Sequence, residues 1–121
     1  MKLLVGAIVA TAVSFLGCGS LSQADAMDCS AIRTAYAIAL QQAQFCDLAQ
    51  PDSCAATRPR APQDVCQCQV AVNPARTAEL DRLLAQFQSQ PCPFDQPFCN
   101  RKCLSPAGSC TASAGLSPTC R

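Results

Sequence analysis

The sequence predicts a small disulfide-rich, mainly α-helical domain: two helices plus a loop-rich C-terminal part with a short β-hairpin. Three observations predict it. Ten cysteines fall in residues 27–121, a density typical of a disulfide scaffold. Two segments carry apolar residues at helical spacing, Cys29 to Leu48 and Asn73 to Ser89. After Cys103 the chain turns rich in Gly, Ser and Pro, with no apolar period of either kind.

The first helix is expected to start at Asp28 or Ser30, whose side chains can accept from its unpaired first amides. Cys29, Ile32, Tyr36, Ala39, Leu40, Ala43 and Cys46 then recur on one face. Ile38 and Phe45 lie nearly opposite, free to meet a second element or a partner. If a ligand binds between the helices, Tyr36, Ile38, Phe45 and Phe87 are the candidate contact residues. Ala49 to Asp64 holds Pro51, Pro59 and Pro62 and reads as a loop, since proline restricts its own and the preceding residue.

"VCQCQVAV", Val65 to Val72, alternates and reads as a short extended segment with Cys66, Cys68, Val70 and Val72 on one face. Both cysteines then point the same way and need separate partners. Asn73 caps and Pro74 opens the second helix, whose stripe is Leu80, Leu83, Leu84 and Phe87, with Glu79 and Arg82 outside. One helical turn is expected within Phe94 to Lys102. A hairpin held by Cys110 and Cys120 is expected in the tail, with turns at Gly108 and Gly115.

The apolar core is thin. Leu, Ile, Val and Phe together number 16 in residues 27–121. Domains with so little core depend on staples, each contributing about 2–4 kcal/mol. Cys29 and Cys46 on one helix would stand about 26 Å apart, beyond the roughly 7 Å reach of a disulfide. They must bond elsewhere. Ten cysteines allow about 945 pairings, and the sequence does not choose among them.

The leader sets the compartment. Met1-Lys2 precedes an apolar run from Leu3 to Leu16, too short to span a bilayer and followed by small polar residues, as in a signal peptide. Residues 1–26 are then removed, by a cut after Ala26 or Ala24. Alternatively, Phe15-Leu16-Gly17-Cys18 resembles a bacterial lipobox. Residues 1–17 are then the signal, Cys18 carries the lipid, and 18–28 form a tether. Under either reading residues 27–121 form a single exported domain, in the periplasm, outside the cell, or on the outer membrane or cell surface, where disulfides persist.

Several chemistries are disfavoured. The chain has no histidine, which removes His-dependent triads and His-containing zinc sites. Its one glutamate, Glu79, lies two residues from Asp81, and residues so spaced on a helix do not face each other. Cys66-x-Cys68 and Cys99-x3-Cys103 offer four thiolates, but no C-x2-C exists to suggest zinc or thioredoxin-like redox work. Eight basic and seven acidic groups in residues 27–121 give no one-sign field for nucleic acid. The expectation is a binding or structural module without cofactor or catalysis, attached to a membrane only through Cys18. Its ligand, a protein or a small apolar molecule, is not specified. The alternative is a protease inhibitor presenting Arg60-Ala61 on a proline-stiffened loop.

The order of Cys29, Tyr36, Cys46, Cys54, Cys66, Cys68, Val72, Asn73, Cys92, Cys99, Cys103, Cys110 and Cys120 resembles a group of small cysteine-rich proteins, often lipoproteins, of myxobacteria and related Gram-negative bacteria. The resemblance covers nearly all of residues 27–121 and implies a bacterial envelope location with no assigned activity. The eight-cysteine class of plant lipid-transfer proteins and cereal inhibitors has similar architecture, but it requires an adjacent Cys-Cys pair that this chain lacks.

Overall fold

The structure is a computed structural model that describes residues 27–121. The expected leader, with Cys18 and the expected cleavage sites, lies outside the described residues. Helix α1 spans Cys29–Ala43 and helix α2 spans Ala78–Ser89. Strands β1 (Ala56–Pro59) and β2 (Gln69–Val72) form one antiparallel hairpin, and β3 (Cys110–Thr111) with β4 (Thr119–Cys120) form another.

The α1 cap is the one the sequence predicts. Asp28 Oδ1 accepts from the Ala31 N–H at 2.7 Å, satisfying one of the helix's unpaired donors. The far end differs from expectation: α1 stops at Ala43 instead of running to Leu48. Its last carbonyls have other partners. Ala43 O accepts from Asn73 N–H at 2.7 Å, Gln44 O from Cys120 N–H at 2.8 Å, and Phe45 O from Asn73 Nδ2 at 3.1 Å. These tertiary bonds draw the chain out of the helix and dock the end of β2 and the C-terminal hairpin against it.

The core is a single layer between the helices, with one residue of β2. Ile32, Tyr36, Ala39 and Ala43 of α1 meet Leu80, Leu83 and Phe87 of α2, and Val72 fills the end. Arg33 straddles the same seam. Its guanidinium lies 5.8 Å from the Phe87 ring centroid and donates to Pro93 O at 2.7 Å. Asn73 Oδ1 accepts from Ala75 N–H at 3.0 Å and so opens a 3₁₀ turn, Pro74–Arg76, that feeds α2. The half-buried Arg58 grips Asp81 and the exposed Arg82 grips Glu79, so both guanidiniums hold their partner carboxyls below the usual range.

Strand β1 lies inside the segment expected to be a loop. Proline was the misleading signal. Arg60 N–H donates to Cys68 O at 2.8 Å, and antiparallel pairs alternate, so Pro59↔Gln69 is a non-hydrogen-bonded pair. Pro59 therefore closes the strand without losing a ladder bond. Its carbonyl points away from β2 and accepts the buried Tyr36 hydroxyl at 2.7 Å.

The expected alternation from Val65 holds only from Gln69 onward. Val65–Cys68 is a turn, and Gln67 takes a positive φ of 52°. The expected helical turn within Phe94 to Lys102 is absent: the segment makes bends, with Asp95 N–H bonded to Gln63 O. The tail hairpin is present, and its turn uses Gly115 at φ 75°, a conformation that favours glycine.

Cys110 and Cys120 face each other across that hairpin but do not bond, contrary to expectation. Directly paired side chains project from the same face. Here that face is turned to the body of the domain, where Cys46 takes Cys110 and Cys54 takes Cys120. The other bridges are Cys29–Cys92, Cys66–Cys99 and Cys68–Cys103. Cys66 and Cys68 thus take separate partners, as expected, and so do Cys29 and Cys46.

Tyr36 is the sole tyrosine and reports on this core. Burial pushes its phenol from 10 up to about 12; nearby Arg58 opposes the shift and Asp81 adds to it. The fold favours the neutral phenol. Its contribution is therefore fully present below about pH 10 and is lost as pH rises towards 12. Absorbance titration of the oxidised protein should show phenolate appearing near 12, and near 10 once the protein is reduced in denaturant. A midpoint near 10 in the folded protein contradicts this packing.

Candidate functional site

The turn between the two central cysteines is built on a buried carboxylate. Asp64 is 2% exposed. Its Oδ1 accepts from the Cys66 N–H at 2.9 Å, and its Oδ2 from the Cys68 N–H at 3.2 Å. Its carbonyl accepts from the Gln67 N–H at 3.0 Å and from Gln67 Nε2 at 2.6 Å. Arg101 supplies the counter-charge, 2.6 Å from Oδ1. Asp accepting from the amide two residues on is a known turn signature, and Asp64-x-Cys66 carries it in the sequence. The turn aims Cys66 and Cys68 at Cys99 and Cys103, and these two bridges bring residues 99–104 alongside β2.

Three clefts adjoin one another, each sharing lining residues with the next. The first, about 590 Å³, lies between the end of α1 and the C-terminal hairpin, with Gln41, Phe45, Leu116 and Thr119 on its walls. The second, about 250 Å³, shares Gln44 and Arg121 with the first and is floored by Val70 and Ala71. The third, about 150 Å³, shares Arg60, Gln69 and Leu104 with the second and ends at Arg101 and Lys102. Together they form one groove, apolar at the Phe45–Leu116 end and cationic at the other. No Asp or Glu lines it among the described residues.

The sequence-predicted contact residues are divided by the fold. Tyr36 and Phe87 are 1% and 2% exposed and belong to the core, because the two helices bury these stripes against each other. Ile38 is 54% exposed, on the outer face of α1. Phe45, 39% exposed, lines the groove. The four do not form one patch, and the space between the helices is filled.

Arg60 is exposed and its side chain reaches the groove, while Ala61 is half-buried. The backbone around them is already engaged. Pro59 O accepts Tyr36, Arg60 N–H donates to Cys68 O, and Ala61 O accepts from Asp64 N–H at 3.2 Å. A substrate-like inhibitory loop needs such groups free for a protease.

The groove's cations were missed by sequence reasoning. Arg60, the Arg101–Lys102 pair and Arg121 are distant in the chain and meet through the β1–β2 ladder and the bridges. Sulfurs of Cys46, Cys54 and Cys110 cluster within 4.8 Å, but all three are spent in disulfides and offer no thiolate to a metal. No described helix is long and apolar enough to cross a membrane. Comparison with protein families, with curated proteins and with solved structures finds no match to this chain.

Asp64→Asn places an amide N–H₂ against backbone donors or against Arg101 and removes the buried charge that Arg101 balances. It should cost on the order of 3 kcal/mol in denaturant unfolding of the oxidised protein. A change below about 0.5 kcal/mol would show that the turn does not depend on this carboxylate.

Proposed function

We propose that this chain is an exported, disulfide-stapled binding module of the bacterial envelope, without catalytic activity, and that the groove is its binding face. The observation that carries the reading is the complete pairing of all ten cysteines in the described residues, which suits an oxidising compartment. The leader pattern and the resemblance to small cysteine-rich lipoproteins support the same location. The groove adds a built surface that rigid bridges hold in shape, which lowers the ordering cost of binding. Two ends follow from the leader. Lipidation at Cys18 attaches the domain to a membrane surface; cleavage before Asp25 or Met27 releases it.

Protease inhibition through Arg60-Ala61 is the less favoured reading, because that segment's backbone is bonded into the fold.

Intact-mass spectrometry of protein taken from its producing cells tests the proposal. The expected mass begins at Cys18 with acyl chains, or at Asp25 or Met27 without them. In both cases it falls short of the reduced chain by two hydrogens for each of five bridges. A chain that keeps residues 1–17 and has free thiols contradicts export.

A further inference from the structure

We infer that the groove is a docking site for an acidic polypeptide segment that carries an apolar side chain at one end. The inference rests on the binding-module reading and names its ligand. Charge complementarity is the first argument. Residues 27–121 hold eight cations and seven anions by side chain, yet four of the eight cations line this one groove and no Asp or Glu does. Arg101 is offset by Asp64 behind it. Among the described residues Arg60, Lys102 and Arg121 have no side-chain ion pair, as is also true of Arg33 and Arg76 elsewhere, while Arg58 and Arg82 are matched to Asp81 and Glu79. The groove therefore gathers three cationic side chains that no Asp or Glu side chain matches among the described residues.

Shape and chemistry choose among anionic occupants. The three clefts adjoin one another, so the surface suits an extended chain rather than a single compact anion. Arginine pairs bidentately with carboxylates, and two of the three unmatched cations are arginines. Gln41 and Gln44 line the first cleft and Gln69 the second and third, and their amide groups can pair with peptide N–H and C=O. The Phe45–Leu116 corner takes an apolar side chain. A uniformly charged sugar polymer would leave that corner unused, and a free phosphate would fill only the cationic end.

The test uses the processed, oxidised protein and a fluorescent peptide rich in glutamate with a phenylalanine at one end. The peptide should bind with an affinity that falls steeply with added salt. Its glutamine counterpart should bind at least about tenfold more weakly. The double variant Arg60→Gln/Arg121→Gln should lose about tenfold in affinity, and Leu116→Ser severalfold, the latter only for the peptide that carries phenylalanine. Neither arginine side chain makes a hydrogen bond or ion pair among the described residues, so the variants should keep the disulfide content and circular dichroism of the parent. Equal binding of the glutamine peptide, or no effect of the double variant, overturns the inference. So does preference for a polyuronate or for phosphatidylglycerol vesicles at the same arginines, although that result keeps the binding-module reading. Failure of every probe overturns the acidic-peptide inference alone, since export is judged independently by the leader and the thiols.

Discussion

Each of the five cysteines between residues 29 and 68 is bonded to one of the five between 92 and 120, and no bridge lies within either set. The separations are 33 to 66 residues. Loop-closure entropy puts bridges of this span near the upper end of the usual range, about 4 kcal/mol each, without strict additivity because the loops interlace. The apolar core needs this help. Its buried members all come from α1, β2 and α2, and from residue 93 onward only Cys120 is buried. Phe94, Phe98, Leu104 and Leu116 all face solvent. Burial does not fix the C-terminal part in place; cystines and a few backbone hydrogen bonds do.

That division of labour shapes the surface. A segment held by cystines has no need to spend its side chains on packing, so residues 99–121 are free to carry Arg101, Lys102, Leu104, Leu116 and Arg121 outward. Two bridges from the Asp64 turn lay residues 99–104 beside β2. Two more seat the last hairpin against the end of α1. The groove is the seam that remains between these attached segments and the helical core. Its cations converge where the bridges converge, and Asp64 takes part in both by shaping the cysteine turn and holding Arg101.

Both helices, the Asp28 cap and the separate fates of Cys66 and Cys68 could be read from local patterns, because capping and helical period are short-range signals. Asn73, expected to cap α2, instead caps the 3₁₀ turn Pro74–Arg76, and α2 begins only at Ala78. What escaped reading was long-range. The end of α1 is set by Asn73 and Cys120, at 30 and 77 residues from Ala43, and no local signal announces them. Strand β1 was masked by Pro59, whose missing donor is harmless only at the pair position that the β2 register gives it. The Cys66–Cys68 turn was hidden by an alternating apolar pattern, although Asp64 stood two residues upstream. The groove itself was illegible: its lining comes from five separate stretches of chain that the cysteine pairing and long-range backbone hydrogen bonds bring together.

The pairing itself is thus the claim on which the rest stands, and peptide-level disulfide mapping tests it most directly. Proteolysis without reduction, followed by fragmentation that resolves Cys66 from Cys68, should return Cys29–Cys92, Cys46–Cys110, Cys54–Cys120, Cys66–Cys99 and Cys68–Cys103. A bridge within either set of five, above all Cys110–Cys120, would contradict the account, because it would release the tail from the core and dissolve the groove.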